Sequence, residues 1–129
     1  MTPKLEQQRI IANGVEMTLY RTPGSAGSGQ PPLILQHGLS DNGLCWGPVA
    51  EELADAYDII MPDARGHGLS ARVSPGEAFD QAADLAALMQ ALGIERAIVA
   101  GHSMGAQIAA RLAAFYPALV TAAILEDPP

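Results

Sequence analysis

Gly101-His102-Ser103-Met104-Gly105 sets a hydroxyl between two glycines, where an apolar run (97–100) meets an Ala-rich helical stretch (106–115). A strand, a tight G-x-S-x-G turn and a helix in that order form a nucleophile elbow. The residue types have a physical reason. A serine at such a bend sits in a strained backbone conformation, and small neighbours let strand and helix approach closely. Gly101 and Gly105 supply that room. The Ser103 hydroxyl would project from the carboxyl end of a sheet, above the positive end of the following helix, where negative charge is favoured. Attack on an acyl carbon is the chemistry this suits. The bland alternative is a glycine-rich turn with a capping serine.

The surrounding pattern says what must position the serine. Residues 9–12 and 15–21 read as short strands, and Asn13-Gly14 between them is a hairpin signal. Residues 22–32 are rich in Gly, Ser and Pro and read as a surface loop. An apolar strand over 32–36 ends in His37-Gly38, and a helix is expected over 44–56. The strand 57–61 is closed by Pro62-Asp63. Ser74-Pro75-Gly76-Glu77 matches the S-x-x-E capping pattern. It predicts a helix start whose apolar face uses Phe79, Ala82, Ala83, Leu85, Ala86, Leu88, Met89 and Leu92, with Gly93 as its stop. After the strand 97–100 and the helix that Pro117 ends, residues 120–125 form a last strand.

From residue 33 onward the order is β-α-β-α-β-α-β. Strands apolar along nearly their whole length belong in a parallel sheet covered on both faces. The expected fold is therefore α/β: a mostly parallel sheet with helices on both faces. One domain is expected over 1–129, with a hairpin (9–21), a loop (22–32) and βα units (33–129). Ligands bind at the carboxyl ends of such strands. His37-Gly38, residues 63–70, Ser103 and Asp127 all fall there.

Composition limits the partners. The chain has 129 residues, 49% of them hydrophobic, with a net charge of −7 and a pI near 4.7. That charge argues against nucleic acid or an anionic membrane as partner. The single cysteine, Cys45, excludes an internal disulfide and suits a reducing, cytoplasmic setting. Beside Trp46 it reads as a small buried residue. No secretory leader is evident in the polar N-terminus, and no apolar run is long enough to span a bilayer. No zinc-like Cys/His spacing, dinucleotide fingerprint or P-loop occurs, so neither metal nor cofactor is expected.

Three segments together, Gln36-His37-Gly38-Leu39, Pro62-Asp63-Ala64-Arg65-Gly66-His67-Gly68-Leu69-Ser70 and the elbow, resemble the α/β-hydrolase superfamily. The resemblance implies Ser103 as nucleophile, with the backbone N–H groups of Leu39 and Met104 stabilising a tetrahedral oxyanion. It implies orienting roles through hydrogen bonds for His37, His67 and His102, with Gly38, Gly101 and Gly105 as motif glycines. The family's order is Ser, then Asp or Glu, then His, and its general-base histidine lies far downstream of the serine. This chain ends 26 residues after Ser103. The resemblance covers about the first half of the fold, truncated after about the sixth strand. Asp127 is the candidate acid, in a minority arrangement.

The expected function is a serine hydrolase acting through an acyl-enzyme on a small ester, lactone or related carbonyl substrate. A serine argues against members with an aspartate nucleophile, such as haloalkane dehalogenases and epoxide hydrolases. The catalytic histidine would come from a missing C-terminal part or a second chain. The outer edge of the strand 120–125 should lack a partner, so a complementary segment or self-association is expected to cover it. The competing reading is a non-catalytic binding module or an inactive fragment of the same fold.

Overall fold

The computed structural model describes residues 4–22 and 29–129. Most of the Gly/Ser/Pro loop, 23–28, and the first three residues lie outside them. Among the described residues six strands form one sheet: β1 (Glu6–Ala12), β2 (Val15–Arg21), β3 (Leu33–Gln36), β4 (Ile59–Pro62), β5 (Ala97–His102) and β6 (Val120–Glu126). Their spatial order is β1-β2-β4-β3-β5-β6. β1 and β2 form an antiparallel hairpin, and β2 is antiparallel to β4. The rest is parallel. Asn13 and Gly14 both adopt positive φ, +53° and +78°, which the predicted two-residue turn requires.

Every residue of β3 and β4 is buried, because helices cover both faces of the sheet. On one face α2 (Gln81–Ala91) and α3 (Met104–Phe115) bury Ile34, Ile60, Leu85, Leu88, Met89, Val99, Ile108 and Leu112. On the other, α1 (Gly47–Leu53) covers Leu33, Leu35, Ile59 and Met61 through Ala50, Val49 and Leu53. No helix among the described residues is long and apolar enough to cross a membrane.

Several boundaries depart from expectation. The helix expected over 44–56 is a 3₁₀ turn (Gly43–Trp46) followed by α1. Asn42 opens it by accepting the Leu44 N–H at 2.9 Å. Ser74 does not start a helix. Glu77 reaches back to the Ser74 N–H at 3.0 Å, as in half of a capping box, but this closes an isolated turn. Gly76, at φ +79°, turns the chain out of the helical path. The helix begins at Gln81, where the Asp80 carboxylate accepts the N–H groups of Ala82 and Ala83. Phe79 therefore lies outside the helix and is 45% exposed.

β6 is the outermost strand and, among the described residues, pairs with β5 alone. It is exposed along most of its length, with Ile124 at 56% and Leu125 at 44%.

Candidate active site

The carboxyl ends of the four parallel strands carry the polar motifs, and hydrogen bonds tie them to one another. At the end of β5, Ser103 has φ +53° and ψ −114°, in the left-handed half of the map that side chains avoid. α3 starts at the next residue. The Ser103 N–H donates to the Glu126 carbonyl of β6 at 3.0 Å, so the bend is anchored across the sheet. The glycines are there for contact. A Cβ at Gly101 would lie 2.6 Å from the Ala106 nitrogen. One at Gly105 would lie 2.6 Å from the Gln36 carbonyl carbon and 2.7 Å from the His37 oxygen. β3, β5 and α3 meet here, backbone against backbone.

The segment after β3 faces the elbow. A Cβ at the buried Gly38 would sit 3.6 Å from the Ser103 Cβ and 3.2 Å from the His102 Nδ1. Gly38 to Asp41 then form a β-turn: the Asp41 N–H donates to the Gly38 carbonyl at 3.2 Å, and Ser40 takes φ +66°. Among the described residues nothing accepts the Leu39 N–H. The Met104 N–H lies in the first turn of α3, where helical amides have no intrahelical partner. The half-buried Ser103 thus sits between Gly38 and the head of α3.

The segment after β4 is a scaffold. Asp63 is fully buried, and its carboxylate accepts the N–H groups of Gly43 at 2.8 Å and Leu69 at 2.9 Å. Gly68 packs on that carboxylate, leaving no space for a side chain. The Ser70 hydroxyl donates to the Asp63 carbonyl and accepts the Thr18 N–H. The Arg65 guanidinium makes a two-pronged ion pair with Asp84 of α2, both groups buried. The Asp84 contact raises the Arg65 pKa. Gln81 joins this loop to the elbow, with Nε2 3.5 Å from the Arg65 carbonyl and 3.7 Å from the Met104 Sδ.

The histidines divide. His37 is fully buried; its Nδ1 is 2.7 Å from the Gly38 carbonyl and its Nε2 accepts the Ala64 N–H at 3.0 Å. Burial pushes its pKa below the usual histidine value. The His67 Nδ1 is 3.1 Å from the Arg65 carbonyl. His102 is exposed beside Gly38. Among the described residues no histidine hydrogen-bonds to Ser103. Asp127 follows β6 with φ +48°, exposed, and among the described residues makes no hydrogen bond or ion pair with a histidine.

Cys45 is exposed, not buried as its apolar neighbours suggested. The short 3₁₀ turn sends its side chain outward, beside Asp41. Partial desolvation, with Asp41 and Glu126 nearby, pushes its thiol up to about 11, so it is no thiolate nucleophile. Among the described residues no group of three or more His, Cys, Asp or Glu side chains could hold a metal ion.

Asp84 and Gln81 escaped the sequence reading. Asp84 had one available signal, an acid inside an apolar helical stripe. Gln81 had none.

A family model described as the alpha/beta hydrolase fold matches residues 31–129. The chain belongs to the α/β-hydrolase fold family. It is 40% identical over 102 residues to 2-(acetamidomethylene)succinate hydrolase of Mesorhizobium japonicum, covering 78% of this chain and 36% of that protein. It is 37% identical over 125 residues to N-formylmaleamate deformylase of Pseudomonas putida, covering 93% and 44%. The crystal structure of Epoxide Hydrolase A from Mycobacterium thermoresistibile superposes with a TM-score of 0.86 at 32% identity, covering 95% of this chain and 39% of that one. This α/β-hydrolase chain thus spans less than half the length of the curated relatives it is set beside here.

Proposed function

We propose that this chain is the nucleophile-bearing part of a serine hydrolase that cleaves small esters, lactones or related carbonyl compounds through an acyl-enzyme. The supporting observation is the left-handed Ser103 at the head of α3, packed against Gly38, with the Leu39 N–H unspent. In this reading the Ser103 oxygen attacks the carbonyl carbon. The carbonyl oxygen becomes an oxyanion held by the Leu39 and Met104 amides, which are fixed before charge develops. Collapse expels the leaving group and leaves the acyl group on Ser103, for water to remove.

Serine is a weak nucleophile without a base to take its proton. Both His37 nitrogens are already engaged. By the family's order of residues, the base is a histidine of a complementary C-terminal segment or second chain, which also covers the β6 edge. Asp127, at the end of β6, is our candidate for orienting that imidazole. The relatives' names, hydrolase and deformylase, favour acyl cleavage, and the serine disfavours the chemistry of the epoxide-hydrolase relatives.

A fluorophosphonate probe tests the reading. Ser103 should be phosphonylated when a histidine-bearing C-terminal half, such as that of the Mesorhizobium relative, is supplied. Ser103→Ala should abolish labelling. No labelling with or without that half would favour the second reading, a binding module of the same fold. The observation behind that alternative is that no described histidine reaches the serine.

A further inference from the structure

Gln36 ends β3, two residues after Ile34, so its side chain stands on the sheet face that α2 and α3 cover. It is 2% exposed, yet among the described residues its side-chain amide has no hydrogen-bond partner. Buried polar side chains nearly always have a partner in protein or in water, and an exception has a specific cause. The residue is not free to turn outward. Its backbone is paired with Gly101 of β5, and its carbonyl lies against Gly105 of α3.

A cavity of about 10 Å³ adjoins the amide. Arg65, Gln81 and Asp84 line its polar side, and Leu85, Leu88 and Ile108 its apolar side. About 10–15 Å³ is the smallest space that holds a water, which also needs two to four polar partners. The partners are at hand. Gln36 offers Oε1 as an acceptor and Nε2 as a donor. Asp84 takes the Nε and Nη2 hydrogens of Arg65, which leaves those on Nη1 to donate. Gln81 turns its Nε2 to the Arg65 carbonyl and the Met104 Sδ, which leaves its Oε1 as an acceptor. Arg65 and Asp84 balance each other's charge, so nothing here draws an ion. The cavity shares Gln81 and Ile108 with an open groove of about 470 Å³ between α2 and α3, which gives water a way in.

We propose that this cavity binds a single water, held by Gln36, Arg65 and Gln81 beneath the nucleophile elbow. The water satisfies the Gln36 amide and supplies the polar link from the end of β3 to the buried pair on α2. The site goes beyond the acyl-transfer reading and does not rest on it, since a binding module of the same fold would hold the same water.

A high-resolution crystal structure of the chain tests the site. It should show one water about 2.7–3.2 Å from the Gln36 amide and from a polar atom of Arg65 or Gln81. In Gln36→Leu, which fills a similar volume with no polar group, that water should be lost. A Gln36 amide bonded directly to Arg65, Gln81 or Asp84 with the cavity closed, or a dry cavity, overturns the proposal. A water that stays in place in Gln36→Leu overturns it as well. Solution measurement on the unaltered chain avoids any failure of the variant to fold: the Gln36 side-chain NH₂ should give a nuclear Overhauser cross-peak to water, and the lack of one counts against the site. Fluorophosphonate labelling plays no part in these readouts, so failure of the acyl-transfer reading leaves them untouched.

Discussion

Gly105→Ala adds one methyl group at the point where α3 and β3 come closest. The new Cβ would stand 2.6 Å from the Gln36 carbonyl carbon and 2.7 Å from the His37 oxygen, with the Gln36 oxygen nearer still. Ordinary carbon contacts begin near 3.5 Å, so the helix must retreat from the strand by about 1 Å. All three colliding atoms are backbone, so no side chain can rotate away. Overpacking of this kind costs about 1–3 kcal/mol, and the top of that range applies between two main chains. Helix propensity returns up to about 1 kcal/mol, because alanine is the better helix former. The net cost is about 2 kcal/mol, a fall of several degrees in melting temperature for a chain of this size. Reactivity should suffer more. The same retreat carries the Met104 amide away from the Leu39 amide, and a 1 Å misplacement can cost about 100-fold. Gly47→Ala is the control, since nothing lies within 4 Å of a Cβ there. Calorimetry and the fluorophosphonate labelling rate measure both effects. A Gly105→Ala chain that melts and labels like wild type would refute the close approach and the argument built on it.

Three further outcomes follow from the site. Asp84→Ala strands the buried Arg65 guanidinium and should cost about 3–5 kcal/mol in urea unfolding, while an Arg65→Met/Asp84→Leu pair should cost clearly less; equal losses would contradict the buried pair. The buried, neutral His37 has a pKa below its unfolded value. The unfolded chain therefore binds the proton more readily, so this contribution is complete above about pH 6.5 and is lost as pH falls toward the folded pKa. His37→Gln should remove that component, and an unchanged pH profile in urea melts would count against it. Ile124→Lys, on the exposed β6, should reduce concentration-dependent light scattering of the isolated chain; unchanged scattering would show that this edge does not drive association.

The framework was legible because each buried strand is an unbroken apolar run and each glycine of the elbow has a steric task. Leu33–Gln36 and Ala97–His102 could hardly be anything but interior strands once a helical stripe followed each. The start of α2 was not legible. Ser74 and Glu77 form one of the two bonds of a capping box, and only the left-handed Gly76 and the better acceptor at Asp80 decide that the helix waits until Gln81. The exposure of Cys45 depends on which way a single 3₁₀ turn faces, which neighbouring residue types do not encode. The ion pair of Arg65 with Asp84 joins residues 19 apart through tertiary packing, and no local rule links them. His37 was visible as part of a motif. The Ala64 amide that fixes its tautomer was not, because it depends on how β3 and β4 stand side by side.

The most direct test of the central claim is a crystal structure of the phosphonylated chain. The account predicts phosphorus on the Ser103 Oγ, with the phosphonyl oxygen about 2.7–3.1 Å from both the Leu39 and Met104 nitrogens. An adduct on another residue, or a phosphonyl oxygen turned away from both amides, would contradict it.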